Sequence, residues 1–327
     1  MRAVFIREFG GAENLVVREV ADLPAPAADR VLVRVRAAAL NRADLLQRRG
    51  LYPAPKGFSV EIPGLEFAGE IAAVGDEVQK LEIGQRVFGI TAGAAQAEFV
   101  SVPENTLVEI PENLDFIEAA AVPEAFITAH DALFTQANLK MGETVLIHAV
   151  GSGVGLAGLQ LAKAASAIVL GTSRTADKLE KAKQYGLDEA ILIGDESNLA
   201  EIICQTTTVG ANVVLDLVGA KYLAANLAAL ANLGRLIFVG TTAGNKAELD
   251  FSIVMRKRLR IFGTVLRSRS AEEKAAATRL FAEQVLPLLA KGTIKPTVDR
   301  VFKIEEIIEA HRYLESNQSF GKVVIEI

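Results

Sequence analysis

The residues best placed to do chemistry sit in a run of glycines behind an apolar stretch. Val145 to Val150 is apolar except for His148, and Gly151-Ser152-Gly153-Val154-Gly155-Leu156-Ala157-Gly158 follows directly. A buried strand that turns through glycines into a helix lets backbone N–H groups approach a phosphate closely. The unpaired donors and the positive dipole end of the helix favour the anion further. Gly153-x-Gly155-x-x-Gly158 is therefore read as a dinucleotide fingerprint, with Ser152, Gly153, Val154 and Gly155 as its contact residues. At the end of the next strand a carboxylate would select the 2′-hydroxyl of NAD. The chain instead has Gly171-Thr172-Ser173-Arg174-Thr175 and then Lys178, with no carboxylate before Asp177. Ser173, Arg174 and Lys178 suit a 2′-phosphate, so NADPH is the expected cofactor. The competing reading is that Arg174 and Lys178 are an ordinary solvated helix start.

The elements that must position this loop are legible from hydrophobic periodicity. After Pro123, mostly apolar strands at 144–149, 167–171, 190–193, 213–217, 235–239 and 260–265 alternate with helical stretches such as 156–165, 178–185 and 222–230. Strands buried on both faces, with helical crossovers between them, predict a doubly wound parallel sheet. The carboxyl ends of its strands face the cofactor crevice, which makes Gly240, Thr241, Phe262 and Thr264 candidate nicotinamide neighbours. The first ~120 residues read differently, as short strands at 31–36, 70–74, 86–90 and 98–102 with recurrent Gly and Pro turns and one helical exception, 41–49. After a helix over 271–291, strands at 298–302 and 322–327 are expected to rejoin that β-rich part. The fold class is thus α/β, with a β-rich domain at 1–122 and 293–327 and a Rossmann domain at 123–292.

Bulk composition narrows the partners. The 327 residues carry a net charge of −5, which argues against an acidic polymer or membrane surface as partner. The basic run Arg256-Lys257-Arg258 with Arg260 reads as a solvated face rather than a nucleic-acid site. Cys204 is the single cysteine, so no internal disulfide can form. It lies in a helical stretch and is read as inert. With no apolar leader and no apolar run near ~18 residues, a cytoplasmic location is expected, and no membrane span.

Whole-chain order and several motifs carry a resemblance. They are Ala39-Leu40-Asn41-Arg42-Ala43-Asp44-Leu45, Gly64-Leu65-Glu66, Ala119 to Ala125, His148-Ala149 with Ser152 to Gly155, Leu266-Arg267-Ser268-Arg269, and Gly321 to Val324. The chain resembles the medium-chain dehydrogenase/reductases, which have a GroES-like catalytic domain. Within them it is similar to the zinc-free quinone oxidoreductase branch that includes zeta-crystallin, and closest to the p53-inducible quinone oxidoreductase-like group. The resemblance implies hydride transfer from NADPH to a small quinone-like substrate. It also implies a homodimer paired along the last Rossmann strand, whose apolar edge would otherwise be exposed.

By the same resemblance, the two catalytic zinc-ligand positions of related alcohol dehydrogenases fall on Asn41 and Leu65. A structural zinc lobe would need four cysteines. No metal site is expected, and His130, His148 and His311 are read as structural. Lacking a Lewis acid to stabilise an alkoxide, the chain is expected to act on an acceptor that delocalises its own negative charge. Asn41 is then either a donor to the acceptor oxygen or a helix N-cap, or both. The resemblance places Tyr52 in the cleft and Thr128 near the nicotinamide, against readings as a loop anchor and as helix packing. Asn317 belongs to a tail that would close over the cofactor. Glu66 is expected to be a buried, paired carboxylate. Where some relatives place a phosphate-binding Tyr on the third strand, this chain has Ile193. Two other readings share the design: a 2-enal or enoyl-thioester reductase, and a cofactor-bound, crystallin-like protein without catalytic function.

Overall fold

The computed structural model describes residues 1–194, 199–207 and 209–327. It forms two compact units, Met1–Ile127 with Leu266–Ile327, and Thr128–Val265. Residues 123–127 and 266–292, assigned above to the nucleotide-binding domain, cluster with the first unit instead. One reason is aromatic: Phe281, fully buried on helix Ala271–Gln284, packs edge-on against Phe88 of strand Arg86–Ile90 at 5.9 Å. The helix expected over 271–291 is also two helices, Ala271–Gln284 and Leu286–Ala290. Pro287 explains the break, since it offers no N–H and its ring clashes with the carbonyl four residues back.

In the first unit the described residues form a seven-stranded sheet. Its order is Val298–Lys303, Lys322–Glu326, Arg30–Leu40, Glu66–Val74, Arg86–Ile90 and Leu107–Glu109, with Phe99–Pro103 also paired to Arg30–Leu40. Strand Arg30–Leu40 alternates up to Arg36 and is then continuously buried through Leu40. That change marks where it passes from a half-solvated sheet face into the interior. The chain leaves it at Asn41 and enters helix Arg42–Arg48, which ends at Gly50 in the left-handed region (φ 72°). Val33, Val35, Leu40, Phe67, Ile71, Val323 and Ile325 belong to the core beneath the sheet.

In the second unit the described residues form a six-stranded parallel sheet. Its order is Glu189–Leu192, Ile168–Ser173, Thr144–Ile147, Ala211–Asp216, Leu230–Phe238 and Arg260–Gly263. In chain order this is 3-2-1-4-5-6, the Rossmann arrangement, and the crevice opens where the order reverses, beside strand Thr144–Ile147. The fifth strand starts earlier than expected. Leu230 already pairs with Ala211, after which the register shifts before Arg235 and Leu233 takes a left-handed conformation (φ 64°). The basic run is partly structural. Lys257 Nζ donates to the carbonyls of Ala228 (2.7 Å) and Leu230 (2.6 Å), at the carboxyl end of helix Leu223–Ala229, where a cation is favoured. Among the described residues no helix is long and apolar enough to cross a membrane.

Strand Arg260–Gly263 lies at the edge of this sheet, with Ile261 and Phe262 half-buried. An apolar strand with unpaired N–H and C=O groups invites a second copy. Light scattering at micromolar concentration should therefore report twice the chain mass, and Ile261→Lys should lower it to one chain. A single-chain mass for the unaltered protein would remove the expected homodimer.

Candidate active site

The first unit concentrates its buried charge around the end of strand Arg30–Leu40. Lys322 Nζ donates to Glu66 Oε1 (2.6 Å), Asn41 Oδ1 (2.7 Å) and the Leu40 carbonyl (2.8 Å). Asn41 Nδ2 donates to Glu66 Oε1 (2.8 Å), and Glu66 Oε2 accepts the Glu124 N–H (2.8 Å). Asn41 also sits at the helix N-cap, its backbone N–H on Asp44 Oδ2 (2.7 Å). Its amide is thus spent mainly within the protein. The remaining N–H makes only a 3.4 Å contact with the Ala39 carbonyl, so donation to an acceptor oxygen would require that weak contact to be exchanged.

Beside this network lies a second cation. Arg267 is 3% exposed, and its guanidinium stands 4.9 Å from the centre of the Tyr52 ring. It donates to the carbonyls of Ala92 (2.9 Å) and Tyr52 (3.1 Å) and to Gln47 Oε1. Tyr52 is half-buried. Burial raises its hydroxyl pKa, with Glu124 adding to the rise and Arg267 opposing it, so the phenol stays a proton-bearing donor at neutral pH. Burial pushes Asp44 up to about 6, against the N–H groups of Asn41 and Gly64 and the charges of Lys322 and Arg267. Glu124 is pushed up to about 8, first by desolvation of its carboxyl and then by the Glu66 charge. Sequence reasoning named Asn41, Tyr52 and Glu66 in this cluster and missed Glu124, Lys322, Arg267 and Asp44 as actors. The signal was present for Glu124, Lys322 and Asp44, each with an apolar residue or glycine directly on both sides, since such a charge must be paired or neutralised if buried; Arg267, followed by Ser268 and Arg269, gave none. Asn317, by contrast, is taken up locally. It accepts from Arg42 and turns the chain after helix Ile307–Glu315 with φ 62°.

The second unit builds the glycine loop as its sequence demands. Ser152 caps helix Gly153–Ala164, its Oγ accepting from the Gly155 N–H (3.2 Å) and donating to the Ala149 carbonyl (2.8 Å). Leu156 N–H bonds to the Ser152 carbonyl (2.8 Å), which leaves the N–H groups of Gly153 and Val154 outside the helix's own bonding. A Cβ at Gly155 would stand 2.6 Å from the Ala149 carbonyl oxygen, and one at Gly158 would stand 3.1 Å from Leu215. The first glycine permits the tight turn and the second the close packing of helix on sheet. At the end of strand Ile168–Ser173, Ser173 Oγ accepts from the Thr175 N–H (3.2 Å), Arg174 is exposed and Lys178 is half-buried. Ile193 packs into the apolar core of the unit and offers nothing to a phosphate.

Gly240, Thr241 and Thr264 line a cavity of about 330 Å³ together with Phe238, Val239, Gly263 and Val265. Phe262, expected there, is not among its lining residues. Thr264 Oγ1 donates to Asp131 Oδ2 (2.8 Å), and Thr128 is buried in helix Pro123–His130. These features fit a nicotinamide dinucleotide, with the free N–H groups of Gly153 and Val154 for its phosphates.

Comparison with known proteins supplies the family. The alcohol dehydrogenase GroES-like domain matches residues 27–112, and the family described as zinc-binding dehydrogenase matches residues 153–283. The chain is 32% identical to the quinone oxidoreductase of Lama guanicoe over 99% of this chain and 97% of that one. Among solved structures it is similar to a mycobacterial protein complexed with NADPH (TM-score 0.90, 26% identity, 100% of both chains). It is also similar to the CurK enoyl reductase (TM-score 0.88, 28% identity, 99% and 98%). The zinc implied by the second family description finds no fitting donor set here. Leu65 is an aliphatic side chain in the core, Asn41 offers an amide, and the Lys322 ammonium already holds Glu66. Among the described residues no group of three or more His, Cys, Asp or Glu side chains could hold a metal. A GroES-like unit joined to a six-stranded Rossmann sheet, with quinone oxidoreductases as relatives across its length, makes this chain an oxidoreductase of the medium-chain dehydrogenase/reductase superfamily.

Proposed function

We propose that the chain reduces quinone-like acceptors with NADPH and without zinc. The observation that carries this reading is the buried Arg267 cation held against the Tyr52 ring, in a unit whose zinc-ligand positions carry Asn41 and Leu65. Gly153 and Val154 would hold the pyrophosphate, Arg174 and Lys178 the 2′-phosphate, and Gly240, Thr241 and Thr264 the nicotinamide end. The bound cofactor supplies a hydride. Tyr52 stacks on a flat acceptor or donates its O–H to the acceptor oxygen. Arg267 places a fixed positive charge beside the oxygen that becomes negative, a favourable arrangement in a site of low dielectric. Reduction to the hydroquinone also consumes a proton. Glu124 keeps its proton at neutral pH and stands within electrostatic reach of Tyr52, so it is the proton source this reading assigns. The likeness to an enoyl reductase supports a second reading, reduction of an enal or enoyl thioester in the same site.

NADPH oxidation measured across naphthoquinones, enals and enoyl thioesters decides between the two. Quinones should be turned over fastest, with activity unchanged by chelator and far less than one zinc per purified chain. Enals or thioesters outrunning every quinone would hand the site to the second reading, and stoichiometric zinc lost together with activity would end the zinc-free mechanism.

Arg174→Ala should raise the KM for NADPH about ten- to hundredfold, the worth of one charge-assisted hydrogen bond, and leave that for NADH nearly unchanged. Equal losses with both cofactors would make Arg174 structural.

Glu124 gives a pH signature. Its folded-state pKa of about 8 lies above the ordinary carboxyl value of 4.5. The stability it contributes is therefore complete below about 4.5 and is lost as pH rises through about 8. Glu124→Gln keeps the neutral shape without the titration. It should flatten the fall in Tm between pH 5 and 9, raise Tm by a few degrees at the alkaline end, and slow kcat about a hundredfold. A variant whose Tm profile parallels the wild type, at full kcat, would strip Glu124 of both roles.

A further inference from the structure

Helix Arg42–Arg48 carries a buried amide that no step above uses. Gln47 is 1% exposed and bridges two groups. Its Oε1 accepts from Arg267 Nη2, and its Nε2 donates to the Val60 carbonyl (3.0 Å). The guanidinium can only donate and the carbonyl can only accept, so the amide fits in one orientation. A carboxylate in its place would satisfy Arg267 and repel the Val60 carbonyl. An ammonium would do the reverse.

The bond to Val60 reaches the segment that carries Tyr52. Residues 51–65 form neither helix nor strand, so side chains must hold them in place. Asp44, three residues before Gln47 and on the same side of the helix, accepts the Gly64 N–H on Oδ1 (3.0 Å). Ser59 Oγ closes the turn beside Val60, accepting from the N–H groups of Glu61 (3.2 Å) and Ile62 (3.0 Å). At the other end, Arg267 takes the Tyr52 carbonyl (3.1 Å) and stands against its ring. Its bond to the Ala92 carbonyl adds a further tie (2.9 Å). The next residue, Gly93, packs on the same segment, where a Cβ would stand 3.5 Å from the Ser59 carbonyl oxygen. The contacts close a ring, from Arg267 to Tyr52, along the segment to Val60, to Gln47 and back to Arg267. Moving Gln47 therefore moves the cation and the phenol together.

The charge of Arg267 depends on the same residue. A buried guanidinium is commonly paired with a carboxylate. Here its three acceptors are two backbone carbonyls and the Gln47 amide, dipoles that fix the cation without cancelling its charge. Gln47 is the one side chain among the three, so a change of residue there can convert the anchor into a counter-ion.

We propose that Gln47 is a positioning residue of the acceptor site, fixing Arg267 and the Tyr52 segment together while leaving the cation free to favour negative charge on the acceptor oxygen. This deepens the reading above and rests on its placing the acceptor beside Tyr52 and Arg267. The test uses the purified full-length chain and two flat probes without nicotinamide, titrated by calorimetry. They are 4-nitrophenolate, at a pH where the phenol is ionised, and neutral 4-nitroanisole. The ratio of their affinities reads the charge that the site offers. Gln47→Met keeps the length of the side chain and removes both bonds. Gln47→Glu also loses the bond to Val60, but neutralises Arg267, so the difference between the two variants isolates the charge. Gln47→Met should weaken both probes severalfold, keep their ratio, and raise the KM for a naphthoquinone. Gln47→Glu should lower the ratio about tenfold and kcat by a similar factor, at unchanged KM for NADPH. Its Tm should be no lower than that of Gln47→Met. Wild-type affinity of Gln47→Met for both probes would overturn the positioning role, and so would an unchanged ratio in Gln47→Glu. If Gln47→Glu does not fold, Gln47→Met decides. If the unaltered chain shows no preference for the phenolate, Arg267 does not serve the acceptor oxygen, and the reading above fails before this inference is reached.

Discussion

The first unit depends on one buried ion pair, Lys322 with Glu66. The Glu66 side chain is fully buried and that of Lys322 is 6% exposed, so neither charge could be there alone. An ammonium has three protons, and all three are spent: on Glu66, on Asn41 and on the Leu40 carbonyl. Those bonds bring together the last strand of the chain, the end of strand Arg30–Leu40 and the start of strand Glu66–Val74. Glu66 extends the network by taking the Glu124 N–H at the start of helix Pro123–His130. Four segments that are remote in sequence meet on two side chains. Losing either partner would leave an uncompensated charge in the interior, at a cost of about 3–5 kcal/mol.

That pair also sets the electrostatics of its neighbours. Glu124 is pushed to keep its proton first by desolvation of its carboxyl and then by the Glu66 charge held in that pair. Asp44 is less affected because it accepts two backbone N–H groups, from Asn41 and Gly64, which favour its charged form. Two carboxyls on the same network, Asp44 fully buried and Glu124 partly so, thus hold protons of different strength. Environment rather than residue type makes one of them an acid at neutral pH.

Much of this was legible in the sequence. Apolar runs and glycine spacing located the Rossmann strands within a few residues, because strands covered on both faces leave a continuous signal. The compact units were harder, since helix Ala271–Gln284 carries no mark of which sheet it covers, and non-local packing such as Phe281 against Phe88 decides it. Pro287 was visible but its effect was not applied. At the site, the N-cap reading of Asn41 matches its place before helix Arg42–Arg48. What a sequence does not show is where the amide's hydrogen bonds go. Its oxygen accepts from Lys322, 281 residues away, and its N–H goes to Glu66, 25 residues away. The glycine loop is local and could be read. The Lys322 network is non-local and could not.

The same network bears on what kind of acceptor the unit can serve. A zinc ion on thiolate and imidazole ligands offers a vacant coordination position to an oxygen, so it stabilises an alkoxide directly. The Lys322 ammonium carries a positive charge in this region but has no proton left to offer, and its charge is already balanced by Glu66. Arg267 is different. Three of its five N–H groups are committed, to Ala92, Tyr52 and Gln47, and among the described residues no buried carboxylate is hydrogen-bonded to it. Its charge therefore extends into the site at long range rather than through a dedicated bond to one atom. Such a field favours negative charge that develops near it but does not bind one atom as a zinc ion would. On the proposed reading, an acceptor served by this field and by no metal bond must itself delocalise much of the charge it receives.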